Sequence, residues 1–164
     1  VQGFNYNILK GSYRTIKNTL GIDMEVDFQE VYQKELLFGK IDEFLNNKDF
    51  EFIDFTYLCR WERNSFSGNG QCIFGNALFL KKTEIALKYN KEQLVKYLSI
   101  ALLYNKFDLA EFILDKTNKI ENKNKYFNTI EKLKRISKRA DKIKTISNGL
   151  VKLIDLDYNI HLFK

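Results

Sequence analysis

The residue types that carry most enzymatic chemistry are scarce in this chain of 164 residues, which has one histidine and two cysteines. The histidine, His161, lies three residues from the end of the chain, where a general base is hard to hold in place. No Cys-x-x-Cys pair is present, so a zinc site would need carboxylates. The glycine-rich patterns that bind nucleotide phosphates are also absent from the sequence. The chain is therefore predicted not to be an enzyme and to need neither a cofactor nor a metal ion.

The remaining candidate for catalysis is a run of acidic residues between positions 42 and 54. Paired carboxylates in this run could hold a metal ion for phosphoryl transfer or hydrolysis. Such a run is more often the solvated face of a helix or strand, because carboxylates are rarely buried. A metal-dependent hydrolase is therefore the third functional hypothesis, behind two binding functions.

A segment rich in glycine and asparagine, residues 64–70, is the clearest loop in the chain and follows a cluster of tryptophan and arginine. Tryptophan and arginine dominate binding hot spots, and loops often carry binding residues. The predicted partner-binding residues are Arg60, Trp61, Arg63, Phe66 and Asn69. The alternative is that Trp61 packs in the core. Cys59 and Cys72 flank the loop. In a secreted protein they could form a disulfide, whereas in an intracellular protein they would remain buried free thiols. The second alternative is favoured.

The end of the chain is strongly basic, with twelve basic and five acidic residues over positions 119–164 against eight and eleven over positions 1–74. Apolar residues recur at steps of three and four over positions 126–146, which predicts an amphipathic helix. The basic residues opposite this stripe are Lys132, Arg135, Lys138, Arg139 and Lys142. These residues are predicted to form a basic ridge that binds either a nucleic-acid backbone or an acidic protein surface. The alternative is that the ridge is a solvated helix face without a binding function.

The elements that position these residues are predicted to be helices, because apolar residues recur at helical spacing along most of the chain. The predicted helices cover residues 8–20, 27–39, 41–45, 49–63, most of 73–116, and 126–146, with a stop at positions 148–149 and a short element over 150–156. Residues 49–63 are ambiguous, since their aromatic content favours a strand. Ile53, Tyr57 and Trp61 are spaced by four, however, and this spacing favours a helix. The fold class is therefore predicted to be all-α.

Two consecutive segments of fifteen residues in the middle of the chain are similar to each other. Residues 85–99 read IALKYNKEQLVKYLS and residues 100–114 read IALLYNKFDLAEFIL, with seven identical positions. An Asn-Lys pair divides each segment, which predicts a helix, a break and a second helix. Such pairs stack as antiparallel helices in a solenoid, and the alternative is a coincidence in a chain rich in Lys, Asn and Leu.

The second segment, extended to residue 121, resembles an ankyrin repeat. The positions that carry the resemblance are Ala101 in the first helix, Leu109, Phe112 and Ile113 in the second, and Ile120 in the following turn. The Thr-Pro-Leu-His opening of that family is missing, and an offset of fifteen residues differs from its period of about 33. The resemblance implies an irregular ankyrin-like or related α-solenoid that binds protein, with no catalytic residues.

The sequence is therefore interpreted as one domain over residues 1–164, an irregular, solenoid-like arrangement of helical hairpins. This domain would consist of an acidic and aromatic half (1–74), a helical-repeat core (75–118) and a basic C-terminal helix (119–164). The leading functional hypothesis is a protein-interaction module, of the kind that a virus or phage encodes as an inhibitor or effector. The alternative is a nucleic-acid-binding protein that uses the basic helix.

The sequence does not predict a membrane location. No uncharged apolar run approaches the roughly 20 residues that cross a bilayer, and no signal peptide is visible. The chain begins with Val1 rather than Met, so the removal of a leader or a preceding domain stays open. A cytoplasmic location is the expectation, and the oligomeric state is not predicted.

Overall fold

A computed structural model describes residues 5–30, 35–63 and 69–161, with side chains described as far as residue 143. These ranges contain three strands, β1 (Gly21–Asp27), β2 (Phe50–Trp61) and β3 (Gln71–Lys81). They also contain seven helices: α1 (Asn5–Gly11), α2 (Tyr13–Asn18), α3 (Phe38–Asn46), α4 (Thr83–Ala86), α5 (Lys91–Leu103), α6 (Phe107–Lys116) and α7 (Lys123–His161). The strands form an antiparallel sheet in the order β1-β3-β2. The predicted all-α class is therefore wrong, and so is the helical-repeat architecture, because the fold is mixed α and β.

The chain divides into two compact units, residues 1–100 and residues 101–164. The first unit contains the sheet, α1 to α4 and most of α5. The second unit contains the end of α5 together with α6 and α7. The boundary between the units therefore falls inside α5.

The central strand, β3, is buried on both faces. Ala77 and Phe79 face one core, whereas Leu78 and Leu80 point to the opposite face of the sheet and are also buried. The sequence of a strand that is covered on both faces is a continuous hydrophobic run. Periodicity alone cannot distinguish such a run from a buried helix. The helical pattern predicted over residues 73–116 is therefore wrong for residues 73–81. It is confirmed only from Thr83 onward, where α4, α5 and α6 lie.

The edge strand β2 contains two β-bulges that imitate helical spacing. Its register against β3 shifts between Phe52 and Asp54, and again between Phe55 and Tyr57. Each bulge inserts one extra residue, so the alternation of faces along the strand is interrupted. As a result Phe52 and Phe55 share a face although they are three residues apart, and their ring centroids lie 4.6 Å from each other. The helix predicted over residues 49–63 is therefore wrong.

Strand β1 ends where a helix over residues 27–39 was predicted to begin. Ile22, Met24 and Val26 alternate with acidic residues, and this period of two identifies a strand with one buried face. Asp27 is the last residue of the strand rather than a helix cap. Helix α3 begins only at Phe38, and residues 31–34 lie outside the described ranges. The predicted helix is therefore wrong over its described first part.

The first core lies between one face of the sheet and helices α1 to α3. Its buried residues are Leu9, Ile16, Val26, Ile41, Leu45, Phe50, Ala77 and Phe79. Four partly buried rings pack against this core and against one another: Phe28, Phe38, Phe52 and Phe55. The helices predicted over residues 8–20 and 41–45 are confirmed in outline. A break at Ser12 divides the first into α1 and α2, and the second begins earlier, at Phe38.

Helix α5 covers the opposite face of the sheet in the first unit. Tyr97 is buried there, and its hydroxyl donates a hydrogen bond of 2.8 Å to the backbone carbonyl of Lys81. Burial, together with the nearby Glu51 carboxylate, raises the pKa of Tyr97 above its usual range. Further along the same helix, Ile100 lies close to Gly21 of β1. These contacts hold α5 against both β3 and β1.

The two asparagines at equivalent positions of the fifteen-residue similarity have different conformations. Asn90 precedes α5 and caps it, because its side-chain oxygen accepts a hydrogen bond of 2.9 Å from the backbone N–H of Gln93. The Gln93 side chain accepts one in return from the backbone N–H of Asn90, which completes a reciprocal cap. Asn105 instead has a φ of 58°, the left-handed conformation that commonly follows a helix. The Asn-Lys pair thus lies at the break between two helices in both segments, as predicted, but the two asparagines terminate or cap those helices in different ways.

In the second unit, α6 packs against α7. Ile113 and Leu114 of α6 are buried, as is Ile130 of α7. The Lys134 ammonium lies 2.6 Å from the Glu111 carboxylate and adds an ion pair between the two helices. Residues 100–121 comprise the end of α5, a turn, α6 and a second turn. Their resemblance to an ankyrin repeat stays a prediction.

Helix α7 contains the predicted amphipathic helix and is longer than predicted. It continues from Lys123 to His161 without ending at Asn148 and Gly149. The predicted stop and the separate short element over residues 150–156 are therefore wrong. Within the described ranges, no helix combines the length and the apolar character needed to cross a membrane.

Candidate functional site

The partner-binding residues predicted from the sequence lie at the free end of the β2–β3 hairpin. Strand β1 pairs with β3 only as far as Phe74, whereas β2 pairs with β3 as far as Gln71. The hairpin therefore ends as a two-stranded ribbon, from Arg60 and Cys72 outward. We call this ribbon and the last three-stranded residues before it, 57–63 and 69–74, the hairpin tip. Phe66 belongs to residues 64–68, which lie outside the described ranges.

The carboxylate of Glu62 ties the two strands of the hairpin tip together. One of its oxygens accepts hydrogen bonds from the backbone N–H groups of Asn69, at 2.7 Å, and Gly70, at 3.2 Å. From β2, the Arg60 guanidinium donates a hydrogen bond of 3.0 Å to the Gly70 carbonyl. Charge-assisted hydrogen bonds of this kind are stronger than neutral ones. The described part of the loop is therefore anchored, and Arg60 and Asn69 belong to the anchor.

Trp61 is 53% exposed, so the alternative that it packs in the core is wrong. The guanidinium carbon of Arg63 lies 5.0 Å from the centre of the Trp61 ring, in a cation–π contact. The pair presents an exposed aromatic ring with a positive charge over one of its faces. Trp61 and Arg63 are therefore both exposed on the surface, whereas the Arg60 guanidinium is hydrogen-bonded to the chain itself.

Tyr57 is the residue of this surface that the sequence analysis missed. Tyr57, Cys59 and Trp61 occupy alternate positions of β2, with a register shift between Cys59 and Arg60. Tyr57 is exposed, and the adjacent Cys59 sulfur raises the pKa of its hydroxyl group above the usual value. A spacing of four residues between Tyr57 and Trp61 fits a strand face as well as a helix face. The spacing of Tyr57 and Trp61 could therefore have indicated a shared strand face, but it was interpreted as the periodicity of a helix.

Cys59 and Cys72 are both free thiols, and both are partly buried. Cys59 lies opposite Phe74, and Cys72 lies opposite Arg60, in the register of the hairpin. A register shift separates these two pairs. The sequence analysis favoured buried free thiols over a disulfide. Both cysteines are free in the structure, but neither side chain is fully buried.

The basic ridge predicted on the C-terminal helix lies on α7. All five of its side chains are exposed: Lys132, Arg135, Lys138, Arg139 and Lys142. The apolar stripe opposite the ridge is buried at Ile130, but Ile136 is 60% exposed and Ile143 is 67% exposed. The second half of the described part of α7 therefore presents basic and apolar side chains together.

The acidic run over residues 42–54 is dispersed in the structure. Glu43 of α3 forms an exposed ion pair of 2.9 Å with Lys40, and Asp54 of β2 accepts a hydrogen bond from the backbone N–H of Phe55. Asp49 lies in the turn between α3 and β2. Among the described residues, no group of three histidine, cysteine or carboxylate side chains could hold a metal ion.

A buried carboxyl pair, Asp27 and Glu35, was not recognised from the sequence. Asp27 is only 6% exposed, and burial raises its pKa from the usual 3.8 to about 7. A hydrogen bond with Glu35 and the charges of Glu35 and Glu25 contribute to the same rise. Carboxyl groups that titrate near neutrality are common at acid–base sites, but ion networks in a core shift pKa values as well. The pair makes the stability of the first unit dependent on pH.

Two exposed surfaces therefore stand out among the described residues, namely the hairpin tip and the basic ridge of α7. The hairpin tip is anchored by hydrogen bonds within the chain, whereas the ridge is a helix face with five cationic groups. Comparison with known proteins finds no matching family model, no similar curated protein and no similar solved structure.

Proposed function

We propose that this chain is a protein-interaction module, without catalytic activity, that binds its partner through the hairpin tip. The observation that carries the proposal is the exposed Trp61 ring with Arg63 stacked on it. Tryptophan and arginine contribute more binding energy per residue than most side chains, especially near the centre of an interface. The partner that fits this surface offers an apolar cleft for the ring, bordered by carboxylates for Arg63.

The anchored backbone around Glu62 supports the same proposal. Association costs less conformational entropy when the binding surface is already ordered before the partner arrives. The hydrogen bonds from Asn69 and Gly70 to Glu62 hold the start and end of the loop together in the unbound chain. We also propose a cytoplasmic location, since a reducing compartment preserves Cys59 and Cys72 as thiols.

Replacing Trp61 by alanine is expected to weaken partner binding by about 2 kcal/mol or more, or roughly 30-fold. Arg63→Ala is expected to weaken it less, because the tryptophan ring remains. The partner would be obtained by affinity purification from the native host, and its dissociation constant would then be measured for each variant. Leu103→Ala is the matched control, since Leu103 is also an exposed apolar side chain. Unchanged affinity after Trp61→Ala would refute the hairpin tip as the binding site.

A second candidate function is nucleic-acid binding through the basic ridge of α7, which the exposure of its five basic side chains supports. Each phosphate that the ridge neutralises releases counterions, so the affinity would fall steeply with salt. No aromatic residue occurs between Lys132 and Lys142, so the ridge is better suited to contacts with the phosphate backbone than to stacking on bases.

Changing Arg135, Lys138, Arg139 and Lys142 to glutamine is expected to flatten that salt dependence. Each lost phosphate contact should reduce the slope of log affinity against log salt by about 0.9 for duplex DNA. Fluorescence anisotropy with labelled DNA of mixed sequence at several salt concentrations would measure it. A control variant removes the same number of charges elsewhere, at Lys10, Lys40, Lys88 and Lys96. Equal effects of the two variants would assign the binding to net charge and not to the ridge.

A further inference from the structure

The first unit contains a pocket of about 420 Å³ that neither surface described above includes. It lies between α2, the turn that joins α3 to β2, and the segment that follows β3. Its volume falls in the range of pockets that bind small molecules, and it is open to solvent on one side. The residues that decide its chemistry are Tyr13, Lys17, Asn47, Lys48, Asp49 and Tyr89.

The charge of the pocket is positive. Lys17, Lys48 and Lys81 line it against a single carboxylate, that of Asp49. The Lys48 ammonium lies 4.9 Å from the centre of the Tyr13 ring, and no carboxylate among the described residues forms an ion pair with Lys17 or Lys48. Two ammonium groups at the mouth of a concave surface favour an anionic ligand, and phosphate is the group that lysine commonly binds.

Lys81 has a different role, because it is only 5% exposed and belongs to the wall of the pocket. Its ammonium donates a hydrogen bond of 2.6 Å to the Lys48 carbonyl and lies 3.9 Å from the centre of the Phe50 ring. Burial lowers the pKa of Lys81, and the charge of Asp49 opposes this change. Lys81 thus fixes the turn that carries Lys48, and it adds positive potential behind the pocket.

Asp49 follows the end of α3 in the left-handed backbone conformation, which aspartate tolerates at a small cost. Its φ is 63°, in the left-handed region that glycine occupies without strain. Asp49 lines the pocket near Tyr89, whose pKa is raised by burial and also by the charge of Asp49. A carboxylate in this position can accept hydrogen bonds from hydroxyl or amino groups of a ligand.

We infer that this pocket binds a nucleoside monophosphate. The phosphate binds to Lys17 and Lys48, the base packs against Tyr13 or Tyr89, and the ribose hydroxyl or base amino groups donate to Asp49. The two tyrosine rings are the reason for a base, because a sugar phosphate has no planar group to place against them. The cationic rim is the reason for a phosphate, since an uncharged nucleoside would leave both lysines without an anion.

Isothermal titration calorimetry of the full chain with AMP, GMP, CMP and UMP tests this inference. At least one nucleotide should bind, and both inorganic phosphate and the matching nucleoside should bind at least tenfold more weakly. The double variant Lys17→Gln, Lys48→Gln should reduce the affinity at least tenfold. The control Lys10→Gln, Lys40→Gln removes two exposed lysines outside the pocket and should leave the affinity unchanged.

The variant Asp49→Gly separates a role in binding from a role in folding. Glycine adopts a φ of 63° at less cost than aspartate does, so the variant should melt at a higher temperature than the wild type and yet bind the nucleotide more weakly. If Asp49→Gly melts at a higher temperature and binds the nucleotide as tightly as the wild type, then Asp49 does not contact the nucleotide. The inference as a whole is overturned if no nucleotide binds at millimolar concentration. It is also overturned if inorganic phosphate binds as tightly as the nucleotide, or if the control variant loses affinity equally.

Discussion

Gly75→Ala is expected to destabilise the sheet by about 3 kcal/mol or more, a large part of the stability of a typical small domain. Gly75 is buried in β3, where it lies opposite Leu58 of β2 and Val26 of β1. A Cβ atom at this position would overlap the backbone carbonyl oxygen of Tyr57 and lie 2.9 Å from Cδ2 of Leu58. The Tyr57 carbonyl belongs to the paired strand, so it cannot move without disturbing the sheet. Urea-induced unfolding followed by circular dichroism would measure the loss.

Gly39→Ala is the matched control for this substitution. Gly39 lies in α3, and a Cβ atom there would meet no other atom within 4 Å. Alanine is favoured over glycine inside a helix by about 1 kcal/mol, so this variant should be as stable as the wild type or more stable. If the urea midpoint of Gly75→Ala equals that of the wild type, then the Tyr57 carbonyl does not lie as close to Gly75 as the structure shows.

Asp27→Asn is expected to remove a pH dependence of stability that arises from the buried carboxyl pair. The pKa of Asp27 is raised to about 7 in the folded chain, so the folded state binds a proton that the unfolded state releases near pH 4. The contribution of Asp27 is therefore fully present below about pH 4, and it is lost as the pH rises to about 7. Asparagine does not titrate, and its amide can still donate to Glu35. The variant should gain roughly 2 kcal/mol relative to the wild type between pH 5 and pH 8.

Urea unfolding of the two proteins at pH 5, 6.5 and 8 would measure this difference. Asp23→Asn is the control, because Asp23 lies on the same strand but is exposed. It should leave the pH dependence of the wild type in place. A constant difference in stability between Asp27→Asn and the wild type across these three pH values would show that Asp27 does not titrate in this range.

The sequence by itself determined the elements whose signals are local. One apolar face at helical spacing was enough to predict α3 and the first part of α7, because each buries one face and exposes the other. The candidate binding residues Trp61 and Arg63 were also chosen from local signals, since they are distinctive residue types beside a loop rich in glycine and asparagine. Residue type and loop composition do not depend on the rest of the fold, so these residues could be chosen without knowledge of the tertiary structure.

Only the tertiary structure decided that residues 50–81 form a hairpin and not helices. The bulge between Phe52 and Asp54 places Phe52 and Phe55 on one face of β2 at a spacing of three, and burial on both sides removes the alternation from β3. Both effects depend on what the strand packs against, and tertiary contacts of this kind override local patterns. In the same way, Lys17, Lys48 and Lys81 come from three separate parts of the chain, so no spacing could bring them together. Long-range packing created the pocket, and it also buried Asp27 deeply enough to change its pKa.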